Sequence, residues 1–189
     1  MTEEFGDAVG VEWRIALFNG GAPVGEDASK WAWYYDRIEA MTGVRLNPAW
    51  RESVEDSTLV PNAVAVAARR LGATGDTVRI ALARAAMVDG RKVQHREIAL
   101  DVAVEASGLD RAALAAAADD PQTRAEMDRT TAEYRALPVS VVPVFLVENP
   151  LEDVALLSGY FQAQTLLAVV REAVETMRRF DAYMVDREV

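Results

Sequence analysis

The 189-residue sequence contains no cysteine. This excludes disulfides, thiolate metal sites and a cysteine nucleophile supplied by the chain itself. A single histidine, His95, excludes a metal site built from several imidazoles. Positive charge is scarce, with 20 Lys and Arg against 30 Asp and Glu and a formal net charge of −10. Phosphate backbones and anionic bilayers both recruit Lys and Arg, so neither nucleic acid nor a membrane surface is an expected partner. No apolar run approaches the ~20 residues that a membrane span requires. The opening Met1-Thr2-Glu3-Glu4 carries no basic stretch leading into an apolar one, and the expectation is a cytoplasmic protein.

What the sequence does have is apolar material, at 51% of residues, enough for a sizeable core in one domain or one domain with a large insertion. Trp13-Arg14-Ile15-Ala16-Leu17-Phe18 reads as a short strand, stopped by the turn formers Asn19, Gly20, Gly21, Pro23 and Gly25. Asp27 suits a helix N-cap. Trp31, Tyr34, Ile38 and Met41 then recur at helical spacing. Val44-Arg45-Leu46 reads as a second strand ending at Asn47-Pro48. Alanine-rich helical patterns follow over 61–71, 76–88, 95–107 and 110–118, and Asp120-Pro121 opens another to about 137. Val141 to Val147 and Val154 to Leu157 read as strands. Residues 161–180 read as an amphipathic helix with Leu166, Val170, Val174 and Met177 on one face.

The expected fold is therefore α/β, a small mixed sheet whose parallel βαβ opening is right-handed, with an all-helical insertion. The expected parts are residues 11–60, a helical insertion at 61–137, and a C-terminal part at 138–180.

Four short motifs carry a resemblance. Phe18-Asn19-Gly20-Gly21-Ala22-Pro23-Val24-Gly25, followed by Ser29-Lys30-Trp31, stands where DsbA-like thioredoxin-fold proteins have Phe-Asp-x-x-Cys-Pro-Trp-Cys and then Ser-Arg-Trp. Val142-Pro143-Val144-Phe145 resembles their Val-Pro-Thr-Phe. Arg45-Leu46-Asn47-Pro48 resembles Glu-Leu-Asn-Pro, and Ser158-Gly159 resembles the Ser-Gly after the last strand. The sequence is similar to the branch holding polyketide-associated DsbA-like proteins and hydroxychromene-carboxylate isomerases, over about residues 12–178. The resemblance implies a thioredoxin-like fold and a cis bond before Pro143. It puts Ala22 and Gly25 at the two cysteine positions, and it leaves Pro143 either a structural cis-proline that fixes a turn or, with Val142, a backbone edge for substrate.

The remaining chemistry is non-redox. In the relatives a helix N-terminus stabilises thiolate, and its N–H groups can equally receive an anion or a carbonyl oxygen. Asn19, Gly21, Ala22, Pro23 and Gly25 are the candidate substrate-binding loop. Glu26 and Asp27 either cap the helix or move a proton. His95 is either a surface histidine or a general base. Trp50 and Arg51 can meet a planar acid. Trp31, Trp33, Tyr34 and Tyr35 are expected in the core. Two functions fit. One is an isomerase acting on the double bond of an unsaturated polyene or aryl-polyene acid or acyl chain, in secondary metabolism. It would have no resident cofactor, and either Glu26, Asp27 or His95 as a base or an external low-molecular-weight thiol as nucleophile. The other is a catalytically inert binding protein. The expected partner is a small-molecule or carrier-bound acyl substrate, with homo- or hetero-dimerisation left open.

Overall fold

The computed structural model describes residues 2–22, 28–51, 57–73, 75–159 and 162–187. It divides into two compact units, residues 13–136 and residues 1–12 with 137–189.

The larger unit is almost entirely helical. Chain order runs from α1 (Thr2–Phe5), in the smaller unit, to α2 (Ala28–Thr42), α3 (Leu59–Arg70), α4 (Thr77–Met87), α5 (Arg96–Ser107), α6 (Arg111–Asp119) and α7 (Pro121–Ala136). Local chemistry sets the helix boundaries. The Asp110 carboxylate accepts the Ala113 N–H at 2.8 Å, an N-cap for α6. Gly108 closes α5 in the left-handed conformation at φ 70°. Pro121 occupies the first position of α7, where its missing N–H costs nothing, and Asp120 accepts from Gln122 N at 2.8 Å.

Alanine packs these helices together. Ala65, Ala67, Ala68, Ala85, Ala86, Ala99 and Ala103 are buried with Val64, Leu82, Leu100 and Leu114 in one core. Small side chains let helix backbones approach closely, and Leu100 and Leu114 fill the remaining space. Arg70 holds the α3 end to the start of α7, donating to Thr123 Oγ1 at 2.6 Å, Asp120 Oδ2 at 3.0 Å and Gln122 Oε1 at 2.8 Å. The buried Thr123 hydroxyl donates on to the Ala117 carbonyl at 2.7 Å.

The smaller unit holds an antiparallel hairpin of β1 (Val144–Glu148) and β2 (Val154–Ser158), in register from Val144 opposite Ser158 to Glu148 opposite Val154. The Asn149 side chain shapes the turn, accepting from Leu151 N and Asp153 N at 2.9 and 3.0 Å. Helix α8 (Ala163–Arg187) packs on β1 and buries Val170.

The thioredoxin-like α/β class with a helical block stands, but the sheet is smaller than the sequence implied. Among the described residues it has two antiparallel strands, and no parallel βαβ opening forms. Residues 13–17, expected as a strand, lie in no ladder. Their polar groups are taken by helix side chains instead. Thr130 Oγ1 donates to the Ile15 carbonyl at 2.7 Å and Thr131 Oγ1 accepts from Leu17 N at 3.0 Å. Arg69 Nη1 donates to the Trp13 carbonyl at 2.6 Å. Ile15 and Leu17 meanwhile bury against Val66 and Met127 in a second core. Residues 44–46, expected as the other strand, are likewise unpaired. Val44 N goes to Thr42 Oγ1 at 3.0 Å, and Asn47 N to the Met87 carbonyl at the end of α4, at 2.8 Å.

Candidate functional site

The site begins where the buried 13–17 segment ends. Leu17 is extended at φ −62° and ψ 119°, and the chain then turns through Phe18–Gly21. Asn19 and Gly20 take left-handed dihedrals, φ 49° and 66°. Asparagine tolerates this region because its short side chain bonds locally, and glycine because it lacks Cβ. Gly20 N donates to the Leu17 carbonyl at 3.1 Å and Ala22 N to the Asn19 carbonyl at 3.2 Å, which locks the turn. Gly21 backs onto the Leu17 and Leu59 side chains, each 3.6 Å from where its Cβ would stand.

Two neighbours flank this turn. One is aromatic. The Phe18 ring lies 6.1 Å from Trp31, and Trp31 lies 5.8 Å from Tyr34, edge to face, and 6.3 Å from Tyr35. Trp31 also packs against the main core. The Tyr35 hydroxyl is buried without a hydrogen-bond partner among the described residues. Expectation and structure part at Trp33, which is 61% exposed with the Arg37 guanidinium 5.4 Å from its ring centroid, and at Tyr34, which is also exposed; Met41, the last residue of the apolar stripe, is exposed too.

The other neighbour is cationic. A Cβ on Gly20 would stand 2.8 Å from Arg135 Nη2 and 3.9 Å from its Cζ. Arg135 is exposed in the last turn of α7. The sequence did not single it out. An arginine at a helix C-terminus is common, because it complements the helix dipole, and no motif tied it to a turn 115 positions earlier. Thr130 and Thr131 were missed for the same reason.

Of the sequence-derived site residues, Asn19, Gly21 and Ala22 form this turn. Pro23, Gly25, Glu26 and Asp27 lie outside the described residues. Trp50 and Arg51 sit in a short 3-10 turn, Pro48–Arg51, with their side chains outside the description. His95 is exposed as the N-cap residue of α5, and its side chain does not cap the helix.

Val142 and Pro143 belong to the smaller unit. The Val142–Pro143 bond is cis, as the motif implied. The backbone around it is held by the motif that follows β2. Gly159 N donates to the Pro143 carbonyl at 2.9 Å and Ser158 Oγ to the Val141 carbonyl at 2.6 Å. Val142 lies between these tethered carbonyls, 55% exposed and outside the ladder that starts at Val144. The described residues contain no cluster of His, Asp or Glu able to hold a metal ion, and no described helix is long and apolar enough to cross a membrane.

Comparison with known proteins agrees with the fold. The DSBA-like thioredoxin domain family matches residues 6–171. No curated protein matches the chain. Among solved structures, the cytosolic disulfide reductase DsbM from Pseudomonas aeruginosa with GSH is similar, with a TM-score of 0.59 and 20% identity, over 84% of this chain and 80% of that one. A second structure of the same reductase matches with the same score and identity over 86% and 82%. At that identity the likeness establishes the fold alone.

Proposed function

The chain belongs to the DSBA-like thioredoxin domain family, and from that premise we propose that it is a non-redox isomerase for the double bond of an unsaturated polyene or aryl-polyene acid or acyl chain. One observation carries the reading. The chain keeps the family's Val142-Pro143-Val144-Phe145 motif and a tight left-handed turn at the active-site loop, but it has no cysteine with which to exchange disulfides. A thiol enters from outside, as a low-molecular-weight co-reactant. The DsbM structure with GSH supports a thiol of the glutathione kind.

The chemistry balances without an oxidant. The external thiolate adds to a conjugated carbon, forming a C–S bond. The π pair moves to the carbonyl oxygen as an enolate, and the former double bond rotates. Elimination re-forms the double bond and returns the thiolate. The chain's task is to hold the acid, stabilise the developing oxygen charge and exclude water. Gly20 and Gly21 let substrate approach the turn, and the Phe18–Trp31–Tyr34 rings give a conjugated chain a flat apolar wall. Glu26, Asp27 and His95 remain the proposed proton-handling groups, and Pro23, Gly25, Val142, Pro143, Trp50 and Arg51 the proposed substrate contacts. The setting is secondary metabolism in the cytoplasm. The domain division at about residues 60 and 137 belongs to this reading, with the helical block as an insertion in the thioredoxin-like parts.

The test is incubation with (2E,4Z)-deca-2,4-dienoic acid and glutathione, followed by NMR. We expect thiol-dependent conversion between geometric isomers and no insulin reduction. Insulin reduction above the blank would overturn the non-redox reading. Absence of isomer conversion across a panel of dienoic and aryl-polyenoic acids and thioesters would overturn the isomerase. A catalytically inert binding protein is favoured by the exposed Trp33, and it predicts ligand binding without turnover.

A further inference from the structure

We propose that Arg135 and the Phe18–Gly21 turn form a binding site for an organic carboxylate, with Arg135 as its charged anchor. Most described arginines in this acidic chain are already engaged. Arg14 and Arg129 pair with Glu133, Arg69 with Glu126, Arg96 with Asp119, and Arg111 with Glu97 and Asp101. Arg135 has no ion pair or hydrogen bond among the described residues, although the sequence carries 30 acids against 20 bases. Arg37, Arg45 and Arg84 share that lack, Arg37 making only its ring contact with Trp33, but Arg135 is the one set against the left-handed turn of the candidate site.

The turn lies close to the guanidinium. A Cβ at position 20 would meet Nη2 at 2.8 Å, closer than side-chain carbons normally approach. Gly20 therefore does two things, adopting φ 66° and leaving room for Arg135. Five N–H donors in a planar fork suit a carboxylate, which accepts two parallel bonds. Phe18, 46% exposed and adjoining Asn19 in the same turn, offers an apolar surface for the rest of the ligand. The arrangement selects a molecule with an anionic end and a flat apolar body.

This inference rests on the isomerase reading for the identity of its ligand, but its test does not depend on turnover. The carboxylate has two sources, an unsaturated acid or the peptide carboxylates of glutathione. Binding of (2E,4Z)-deca-2,4-dienoic acid, its methyl ester and glutathione is measured separately by tryptophan fluorescence or ligand-observed NMR, at low salt and neutral pH. The wild-type protein should bind the acid at least tenfold more tightly than the ester. Arg135→Gln should weaken acid binding by about tenfold or more, as expected for loss of a charge-assisted pair, and leave the ester unchanged. Arg135→Lys should recover part of the loss, because it keeps the charge without the fork. If Arg135→Gln weakens glutathione and not the dienoic acid, the site stands with the thiol as its carboxylate source. If it weakens neither, or if the folded wild-type protein binds neither, the site is overturned. Tight Arg135-dependent binding with no isomerisation would remove the isomerase and keep the site. Isomerisation at the wild-type kcat/KM by Arg135→Gln would do the reverse.

Discussion

Residues 13–17 and β1 are both short apolar segments that read as strands, yet they meet their backbone needs in different ways. In β1 the groups pair with β2 along a ladder from Val144 to Glu148. In 13–17 they are met by Thr130, Thr131 and Arg69, reaching from α7 and α3. A buried amide or carbonyl must find a partner, but that partner need not be another strand. The hairpin is held by repeated main-chain pairing and tolerates side-chain change. The 13–17 segment is held by individual side chains, and each is a point of failure. That segment leads directly into the candidate site, so the precision of the turn at Asn19 and Gly20 depends on helices far away in sequence.

The comparison breaks most visibly in the cores. Leu114→Ala, at a fully buried position in the helical block, should destabilise by about 2–5 kcal/mol through lost burial and the cavity left behind. Leu146→Ala, on the exposed side of β1, should cost under about 0.5 kcal/mol. Urea denaturation followed by circular dichroism checks both. Equal losses would mean that the hairpin is as tightly packed as the helical block.

The next largest effect sharpens the point about side-chain partners. Thr131→Val keeps the shape but leaves the buried Leu17 N–H unpaired, at a cost of about 1–3 kcal/mol. Hydrogen exchange at Leu17 should accelerate while the β1 amides stay protected. If Leu17 exchange is unchanged, the segment draws its order from another source, such as the burial of Ile15 and Leu17.

The smallest effect is a pH dependence at the α6–α7 junction. The Gln122 N–H, with Arg70 beside it, holds the Asp120 carboxyl below the usual range for aspartate. A depressed folded-state pKa stabilises the fold above the unfolded value and loses that contribution as pH falls through the folded one. The stability gap between wild type and Asp120→Asn should therefore be present at neutral pH and shrink below about pH 4. A gap that widens in acid would contradict the assignment.

Much of the helical framework was legible in the sequence. The spacings over 61–71, 76–88, 95–107, 110–118 and 121–137 match α3 to α7 within two residues at each end. Each pattern was bounded by a chemical stop, Gly72, Gly90, Gly108 or Pro121, that acts locally. Pro143 and Ser158-Gly159 were legible as motifs, and the structure shows them bonded together around Val142. The strands expected at 13–18 and 44–46 do not form, because a short apolar run is consistent with an extended chain but says nothing of what pairs with its backbone. Of the site, the turn at Asn19 to Ala22 was legible from its turn formers, and Arg135 was not.

By itself the sequence determined two things about this protein. Without cysteine it cannot exchange disulfides, and its short-range patterns place most of the helices and the hairpin. Both follow from groups that act within a few residues of one another. Tertiary structure alone decided that Thr130 and Thr131 would replace a strand beside residues 13–17, and that Arg135 would lie against Gly20. These contacts join positions more than a hundred residues apart, and they exist only because packing α3 and α7 around Val66 and Met127 carries their side chains to the same place.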